Sequence, residues 1–351
     1  MKTIALCHHY SLTFHGGGER FLIDAANQLT KAGYKVNIYA LPFERKPTKL
    51  KDLRKEVEYK ENFIHRIQDA DVIYIIYAPL VHRFFIGDAP RIGSFHAFVF
   101  LKELQSIEVR TMGYVDFLKK FGFSRFISRI YFDKFKENEL CCFDALHVIN
   151  KEVLKLFNCK EKVYYVPNWI DTSRFKPLDG KDSKFTVLYS GRRAKGFSTF
   201  IKIADLLKMK GINFIAVGPD LVSVRNVRNL GFISNADYLA RLYSRVHLLV
   251  YTSTIDVFPL TLLEVSACGT PIVALPTKAI QGLDLPIFYA TSVKDFATVI
   301  CKLQNLWTGK REEYFNLCKR MRIEVGKYDL KNVFPKFLKM LKEVASSNAV
   351  S

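Results

Sequence analysis

A strand–loop–helix–strand segment around residue 260 constrains the fold of this chain more than any other feature. Val246–Tyr251 and Thr270–Leu275 are short apolar runs of the type that forms buried strands. Between them, Pro259 is typical of the first position of a helix and Gly269 of its end. This succession is the unit of a parallel α/β sheet, which binds ligands at the carboxyl ends of its strands.

Two carboxylates accompany this helix, Asp256 in the loop and Glu264 more than a turn into the helix. At ~1.5 Å rise per residue, Glu264 lies roughly 7 Å along the axis from Pro259. Asp256 lies further back in the loop, so the predicted separation of the two carboxylates exceeds the about 5–5.5 Å found in a retaining glycosidase. Two separate tasks along an extended ligand fit better, with the helix amides attracting a central phosphate, as in a nucleotide sugar. The alternative is a solvated loop Asp and a capping or surface Glu.

The composition indicates a globular protein of two ordinary domains. The chain has 351 residues, of which 49% are apolar and 25% charged. We expect a cytoplasmic protein, because Lys2–Cys7 is typical of a first buried strand rather than a signal peptide and the seven cysteines show no zinc spacing. The net charge of +19 attracts nucleic acid, anionic membranes and phosphorylated ligands alike. A generic basic surface is the alternative.

A glycine loop follows the first predicted strand. Gly16, Gly17 and Gly18 precede the helical run Arg20–Lys31. Such a loop lets the backbone approach a ligand closely and exposes amides at a helix start. It is neither a Walker loop nor GxGxxG, and a plain turn is the alternative.

A histidine stands at another predicted strand end. His96 directly follows the short strand Arg91–Phe95, which places it where an α/β sheet binds ligands. A structural histidine is the alternative. Asp144–Asn150 is predicted as the last strand of this half.

The stretch Tyr114–Lys136 is basic and aromatic. It contains eight aromatic, six basic and two acidic residues. An amphipathic stretch of this kind is typical of a membrane interface or of a contact with an anionic partner. The alternative is a pair of helices whose aromatic residues face the domain core.

A second series of alternating strands and helices begins after the proline-containing turn Val163–Pro177. Its first strand, Phe185–Ser190, ends in the glycine-bounded loop 191–196 (GRRAKG), which precedes the helix Phe197–Lys208. The arginines and the lysine of this loop suit a diphosphate. Two successive α/β halves predict two Rossmann-like domains facing across a cleft.

Five motifs in this order resemble those of a known family. They are GGGER after the first strand, VPNWID with FKP, GRRAKG, LGFISNADYLARLY, and DVFPLTLLEVSACGTPIVA. Their order resembles the GT-B glycosyltransferases and, among them, the retaining glycosyltransferase family four. The last motif resembles the E-x7-E signature of that family, here with Asp256 as the first acid. The resemblance spans nearly the whole chain and is more specific in the carboxyl-terminal half.

The resemblance implies an α/β protein of GT-B fold. Residues 1–165 would form the acceptor-side domain, 166–184 a linker, and 185–327 the domain that binds the nucleotide sugar. The last helix, within 328–351, would pack back on the first domain.

The resemblance also implies roles for individual side chains. Glu264 would bind the ribose hydroxyls of the nucleotide, and Asp256 the hydroxyls of the donor sugar. Lys195, with Arg192 or Arg193, would bind the diphosphate and stabilise the charge of the leaving group. His96 would face the donor sugar. Backbone groups near the ligand would be those of Gly16, Gly17, Gly18, Gly191, Phe258, Leu260 and Thr261.

The implied activity is a metal-independent, retaining hexosyl transfer from a nucleotide-diphosphate sugar, with no cofactor besides this donor. The DxD pattern of Asp69 and Asp71, a metal site in other sugar-transferring enzymes, directly precedes the strand Val72–Tyr77 and so lies at the wrong end of it. The acceptor would be a glycan or a lipid-linked glycan, with peripheral docking on an anionic membrane surface. No sequence motif indicates the base of the nucleotide, the sugar, the acceptor or the oligomeric state.

Several departures from the family pattern leave an alternative open. The first acid is Asp256 rather than Glu, Pro259 replaces a frequent Gly, Trp169 follows Asn168 where Gly is expected, and the loop 191–196 is short. The alternative is a nucleotide-sugar-binding protein without turnover. A nucleic-acid binder is suggested by charge alone, and no nucleic-acid motif accompanies it; we therefore expect no nucleic-acid partner.

Overall fold

The chain forms two α/β units. Its structure, a computed structural model, describes residues 1–14, 16–42, 52–96, 111–155, 157 and 162–347. Unit 1 contains the described residues up to Asn168 and those from Val333 onward, and unit 2 contains 169–332. Each unit is built around a parallel sheet.

Unit 1 has a central parallel sheet and a small strand pair. The central sheet has the order β3-β2-β1-β5-β7-β8-β9, and β4 pairs with β6. The interior strands are buried along almost their whole length, as expected for a sheet covered on both faces. The strands in the described residues are β1 Thr3–His8, β2 Lys35–Ala40, β3 Glu58–Glu61, β4 His65–Arg66, β5 Val72–Ile76, β6 Phe85–Ile86, β7 Arg91–Phe95, β8 Ala145–Val148 and β9 Lys162–Tyr165.

In the part of unit 1 that the structure describes before β9, the helices are α1 Gly17–Lys31, α2 Tyr114–Phe121, α3 Phe123–Leu140 and α4 Lys151–Leu154. Helix α1 forms because its apolar residues recur at helical spacing and bury one face, and it ends before Gly33, which has φ +88°. Helices α2 and α3 form the helical pair that was one interpretation of the basic aromatic stretch.

Unit 2 has a six-stranded parallel sheet of order β12-β11-β10-β13-β14-β15. Its strands are β10 Thr186–Ser190, β11 Asn213–Val217, β12 Arg228–Asn229, β13 Leu248–Tyr251, β14 Ile272–Ala274 and β15 Phe288–Tyr289. Its helices are α5 Phe197–Leu206, α6 Ala236–Arg245, α7 Leu260–Ala267, α8 Lys278–Gln281, α9 Val293–Gly309 and α10 Arg311–Glu324. A buried core that includes Phe200, Phe214 and Phe296 lies on one face of this sheet.

The last helix, α11 Leu330–Ser347, belongs to unit 1 from Val333 onward. The Phe337 ring lies 5.8 Å from the Phe21 ring of α1 and 5.3 Å from the Tyr74 ring of β5. Tyr164 donates a hydrogen bond of 2.9 Å to Glu343. These contacts attach the helix to the sheet of unit 1.

The segment around the proline-containing turn differs from its prediction. Asp144–Asn150 is not the last strand of its half, because β9 pairs in parallel with β8 beyond it. Residues from Trp169 onward, predicted as a linker, pack within unit 2. Trp169 is buried, and Ile170 exchanges backbone hydrogen bonds with Tyr328 and Leu330. Apolar side chains in this turn therefore fix it to the unit.

Asp71, in the Asp69–Asp71 pattern, makes structural hydrogen bonds and does not lie at the carboxyl edge of the sheet. Asp71 accepts hydrogen bonds from the backbone N–H groups of Lys2 and Thr3, at 2.8 Å for Thr3. These bonds, first the one from Thr3, lower the pKa of Asp71. The carboxylate thus joins the amino ends of β1 and β5, as its position before the strand predicts.

A buried histidine makes the stability of unit 2 depend on pH. The His247 ring accepts a hydrogen bond from the backbone N–H of Thr186 at 3.0 Å and lies 4.4 Å from the Trp307 ring. Burial, then the charges of Lys181 and Arg311, lower its pKa from 6.5 to about 3. The folded state therefore binds fewer protons than the unfolded state between these values, so stability is full above pH 6.5 and falls as the pH drops toward 3.

We expect His247→Asn, which keeps a neutral acceptor at all pH values, to be less stable than wild type by about 1–3 kcal/mol at pH 7. At pH 5 the difference should shrink by about 2 kcal/mol. The wild type loses this much stability because His247 binds a proton only in the unfolded state, whereas the variant has no group that titrates there. Urea unfolding of both proteins at the two pH values measures this. A difference that stays constant would show that His247 is not held neutral.

Candidate active site

Loops from three neighbouring strands of unit 2 meet at the carboxyl edge of its sheet. Strand β10 lies between β11 and β13, and all three are parallel. The loop 191–196 follows β10, the loop 252–259 follows β13, and Asp220 follows β11. The sheet order therefore brings together residues that lie about 60 positions apart in sequence.

An ion pair joins two of these loops. Lys195 Nζ lies 2.6 Å from Asp256 Oδ1, and the exposed fractions of the two side chains are 32% and 15%. The hydroxyl of Tyr251, at the end of β13, donates to Asp256 Oδ2. Burial alone raises the pKa of Asp256, but Lys195 together with hydrogen bonds from Ser253 and Tyr251 outweighs it and holds the pKa below its usual value. Asp256 is therefore a carboxylate, and the pair is partly open to a ligand.

The loop 191–196 is held by contacts on both sides. The hydroxyl of Tyr189 donates to the carbonyl of Arg192 at 2.7 Å, and the backbone N–H of Arg193 donates to Asp220 at 2.8 Å. Arg193 is exposed and Arg192 is half-buried. The loop thus presents several positive charges on a fixed backbone.

Two glycines permit this backbone arrangement. A Cβ on Gly218 would lie 1.9 Å from the carbonyl oxygen of Gly191, so the strand β11 end and the loop approach closer than any side chain allows. Gly196 has φ +92°, and a Cβ there would lie 2.4 Å from the carbonyl oxygen of Thr252. Thr252 Oγ1 also donates to the Gly196 carbonyl at 2.8 Å. Gly196 therefore joins the Lys195 loop to the Asp256 loop.

A cavity of about 430 Å³ opens beside the same loop. It is lined by Arg193, Phe197, Ser198 and Ile201 from the loop and α5, and by Asp220 on the other side. Its volume is within the usual range for small-molecule sites.

The second acid lies in α7. This helix begins at Leu260, with Pro259 as the N-cap, so Pro259 is not the first helical residue as predicted. Leu260 and Thr261 are half-buried in the first turn, whose N–H groups have no acceptor within a helix. Phe258 is buried, with its ring 5.5 Å from that of Tyr328.

Glu264 is fully buried in α7. The surface or solvated position considered from the sequence is therefore wrong for this residue. A ligand that contacts its carboxylate must displace the groups that cover it. Asp256 and Lys195, in contrast, are reached without such a change.

Three contributors to the site were not predicted from the sequence. Tyr189 is the next-to-last residue of β10 and Tyr251 the last residue of β13, and Asp220 follows the glycine–proline pair after β11. The position of Asp220 just after an apolar strand is a signal that was available. Nothing in the sequence shows that a strand tyrosine turns its hydroxyl to Asp256.

The glycine loop of unit 1 leads into α1. Gly16 is the N-cap, and Gly17 and Gly18 lie in the first turn. A Cβ on Gly18 would lie 3.1 Å from His8 Nε2, so this glycine allows β1 and α1 to approach closely. Glu19 is buried in the same turn, with its carboxylate 3.7 Å from His8 Nε2. The first turn of α1 therefore already carries a negative charge, which opposes a phosphate there.

His96 lies directly after β7, at the carboxyl edge of the unit 1 sheet. Its Nε2 lies 3.3 Å from the Tyr74 hydroxyl, and its ring lies 4.6 Å from that of Phe21. Burial, then the nearby His147, His8 and His9, hold the pKa of His96 well below its usual value. His96 is therefore neutral near pH 7.

Part of unit 2 matches a known protein family. Residues 184–305, which contain Lys195, Asp256 and Glu264, match the family of glycosyl transferases group 1. An alpha-galactosylglucosyldiacylglycerol synthase from Streptococcus pneumoniae is 27% identical over 32% of this chain and 37% of its own length. The chain thus spans little more than a third of that curated relative.

Solved structures resemble the chain over its whole length. Sucrose-phosphate synthase from Thermosynechococcus elongatus has a TM-score of 0.75 at 16% identity, with 100% of both chains covered. HepE from Anabaena, in complex with UDP and glucose, has a TM-score of 0.70 at 16% identity and covers 96% of this chain and 99% of its own. The resemblance and the GT-B fold predicted from the sequence are confirmed. The fold is that of the GT-B glycosyltransferases, and the match to the family of glycosyl transferases group 1 covers residues 184–305.

We expect Gly196→Ala to destabilise the protein more than Gly211→Ala. Both glycines have positive φ, but a Cβ on Gly211 has no atom within 4 Å. The left-handed backbone alone costs about 1–2 kcal/mol, and the clash with Thr252 should raise the loss for Gly196→Ala to roughly 3–5 kcal/mol. Urea unfolding compares the two variants. Equal losses would show that the Gly196–Thr252 approach contributes nothing.

Proposed function

We propose that this protein is a retaining, metal-independent glycosyltransferase whose donor is a nucleotide-diphosphate sugar. The observation that supports this most is the Lys195–Asp256 pair, which lies partly open at the carboxyl edge of the sheet in the segment that matches the family. The donor needs no further cofactor in this proposal.

Each charged group has a distinct task in the transfer. The bond between the anomeric carbon and the diphosphate oxygen breaks, and a bond from that carbon to the acceptor oxygen forms on the same face. The acceptor proton leaves on the diphosphate. Lys195 and the neighbouring Arg192 and Arg193 stabilise the negative charge that develops on the leaving group, while Asp256 accepts hydrogen bonds from sugar hydroxyls.

Glu264 binds the ribose in this proposal, and its burial adds a condition. Because the carboxylate is fully covered, the nucleotide must move the side chains above it. Binding to Glu264 is required of both candidates, whereas the shorter Asp256 and the short loop 191–196 favour the second candidate: a protein that binds the nucleotide sugar and does not transfer it.

We expect calorimetry with UDP, GDP and ADP to show binding of one of the three. Lys195→Met should weaken it about tenfold or more, because a charge-assisted contact to phosphate is worth roughly 1.5–3 kcal/mol. Lys202→Met is the matched control, since Lys202 is exposed on α5 and outside the loop. Glu264→Gln should also weaken binding.

Release of the nucleoside diphosphate from its sugar, measured with the same donor, separates the two candidates. Turnover that Lys195→Met abolishes and Lys202→Met preserves supports the transferase. Tight donor binding without turnover supports the binding protein. If none of the three nucleotides binds, both candidates are wrong.

A lipid-linked acceptor and peripheral docking on the cytoplasmic face of an anionic membrane complete the proposal. The S. pneumoniae relative is named for the synthesis of a glycosylated diacylglycerol, and this name supports a lipid acceptor. Among the described residues, no helix has the length and apolar character to span a bilayer. Helices α2 and α3 suit surface docking instead, because exposed apolar side chains lie among basic ones.

The two helices also bury part of their aromatic content. Phe117 is buried, and the Arg129 guanidinium lies 4.4 Å from the centre of its ring. Tyr114 and Phe123, in contrast, are 58% and 69% exposed. Phe117 therefore fits the interpretation in which aromatic residues face the core, and the exposed rings are those that we propose for surface docking.

We expect the protein to sediment with phosphatidylglycerol vesicles at low salt and not with phosphatidylcholine vesicles. Tyr114→Ser with Phe123→Ser should weaken this at least about tenfold, since burying one such ring is worth roughly 1.5–3 kcal/mol. Met209→Ser, at an 87% exposed position of unit 2, is the control. Equal sedimentation of all three proteins, or none with wild type, would contradict surface docking by these helices.

A further inference from the structure

Three buried polar side chains form a hydrogen-bonded chain behind His96. Tyr74 of β5, Ser94 of β7 and His147 of β8 are fully buried on three adjacent parallel strands. Ser94 and His147 are direct partners in the strand register. The chain links a backbone carbonyl at one end to the His96 ring at the other.

The proton positions follow from the carbonyl end. His147 Nε2 lies 2.7 Å from the carbonyl oxygen of Val166, which can only accept, so Nε2 carries a proton. Burial lowers the pKa of His147 to about 4, and the ring is therefore neutral near pH 7. Its Nδ1 must then be an acceptor.

The two hydroxyl protons are used by the shorter bonds. Ser94 Oγ lies 2.7 Å from His147 Nδ1 and donates to it, and the Tyr74 hydroxyl donates to Ser94 Oγ at 2.6 Å. The Tyr74 oxygen has no second proton, so toward His96 Nε2, at 3.3 Å, it acts as an acceptor. His96 must therefore carry its proton on Nε2.

We propose that Tyr74, Ser94 and His147 are positioning residues that fix His96 as the neutral Nε2–H tautomer. Its Nδ1 is thereby kept as a hydrogen-bond acceptor, and no residue that the structure describes donates to it. The ligand class that suits such an atom is a hydroxyl of a sugar, and this last step rests on the proposed function.

The chain offers a matched pair of variants. Tyr74→Phe removes the acceptor for His96 Nε2–H and changes little in volume. Ser94→Ala leaves that acceptor in place, because Tyr74 can then donate directly to His147 Nδ1, 2.8 Å away. The first variant should release the His96 tautomer and the second should preserve it.

Nitrogen-15 NMR of the imidazole rings in ligand-free protein, with His96→Gln for assignment, reads the tautomer directly. We expect the Nε2–H form for His96 in wild type and Ser94→Ala, and a mixture with the Nδ1–H form in Tyr74→Phe. A charged or Nδ1–H ring in wild type, or a Tyr74→Phe spectrum equal to wild type, overturns the proposal. An equal change in Ser94→Ala also overturns it, because general loosening then explains both.

Activity provides a second, separate reading. In Tyr74→Phe we expect kcat/KM for sugar transfer to fall about tenfold and in Ser94→Ala to stay within about threefold. The spectra are recorded without the nucleotide sugar. The tautomer result is therefore valid even if the protein does not transfer a sugar. If the Tyr74→Phe spectrum shows the expected tautomer mixture but kcat/KM is unchanged, His96 Nδ1 is not used in substrate binding.

Discussion

The candidate site depends on the parallel pairing of β10 with β13. This pairing places the loops after the two strands side by side, and the Lys195–Asp256 ion pair and the Gly196–Thr252 approach then hold them together. A charged pair at a partly exposed edge adds little to stability by itself. In the proposed function, the pair presents a fixed positive charge and a carboxylate to one ligand, a diphosphate joined to a polyol.

The strand ends of unit 1 carry a different set of side chains. Unit 1 collects neutral histidines and hydroxyls instead of opposite charges, and burial prevents the histidines from becoming charged near pH 7. The carboxylate of Glu19 occupies the first turn of α1, which disfavours a phosphate at the glycine loop. These features suit recognition of hydroxyl groups, and the strong positive charges of the candidate site lie in unit 2.

Much of the fold and part of the site follow from the sequence. Short apolar runs predicted the strands, and their ends predicted where Lys195, Asp256 and His96 lie, because parallel strands bring their carboxyl ends to one edge. Strand β9 was missed, since the prolines after it indicated a boundary and its alternation is short. The burial of Glu264, the Tyr251 contact and the chain from Tyr74 to His147 depend on strand register and side-chain direction. Periodicity along one segment does not determine either.

The most direct test of the account is hydrogen exchange of the wild-type protein with and without each of UDP, GDP and ADP. The account predicts that one nucleotide slows exchange in two segments of unit 2, around 191–196 and 258–264. The second segment tests whether the nucleotide reaches the helix that buries Glu264. Protection elsewhere, or in neither segment with any nucleotide, would contradict a donor site at this edge of the sheet.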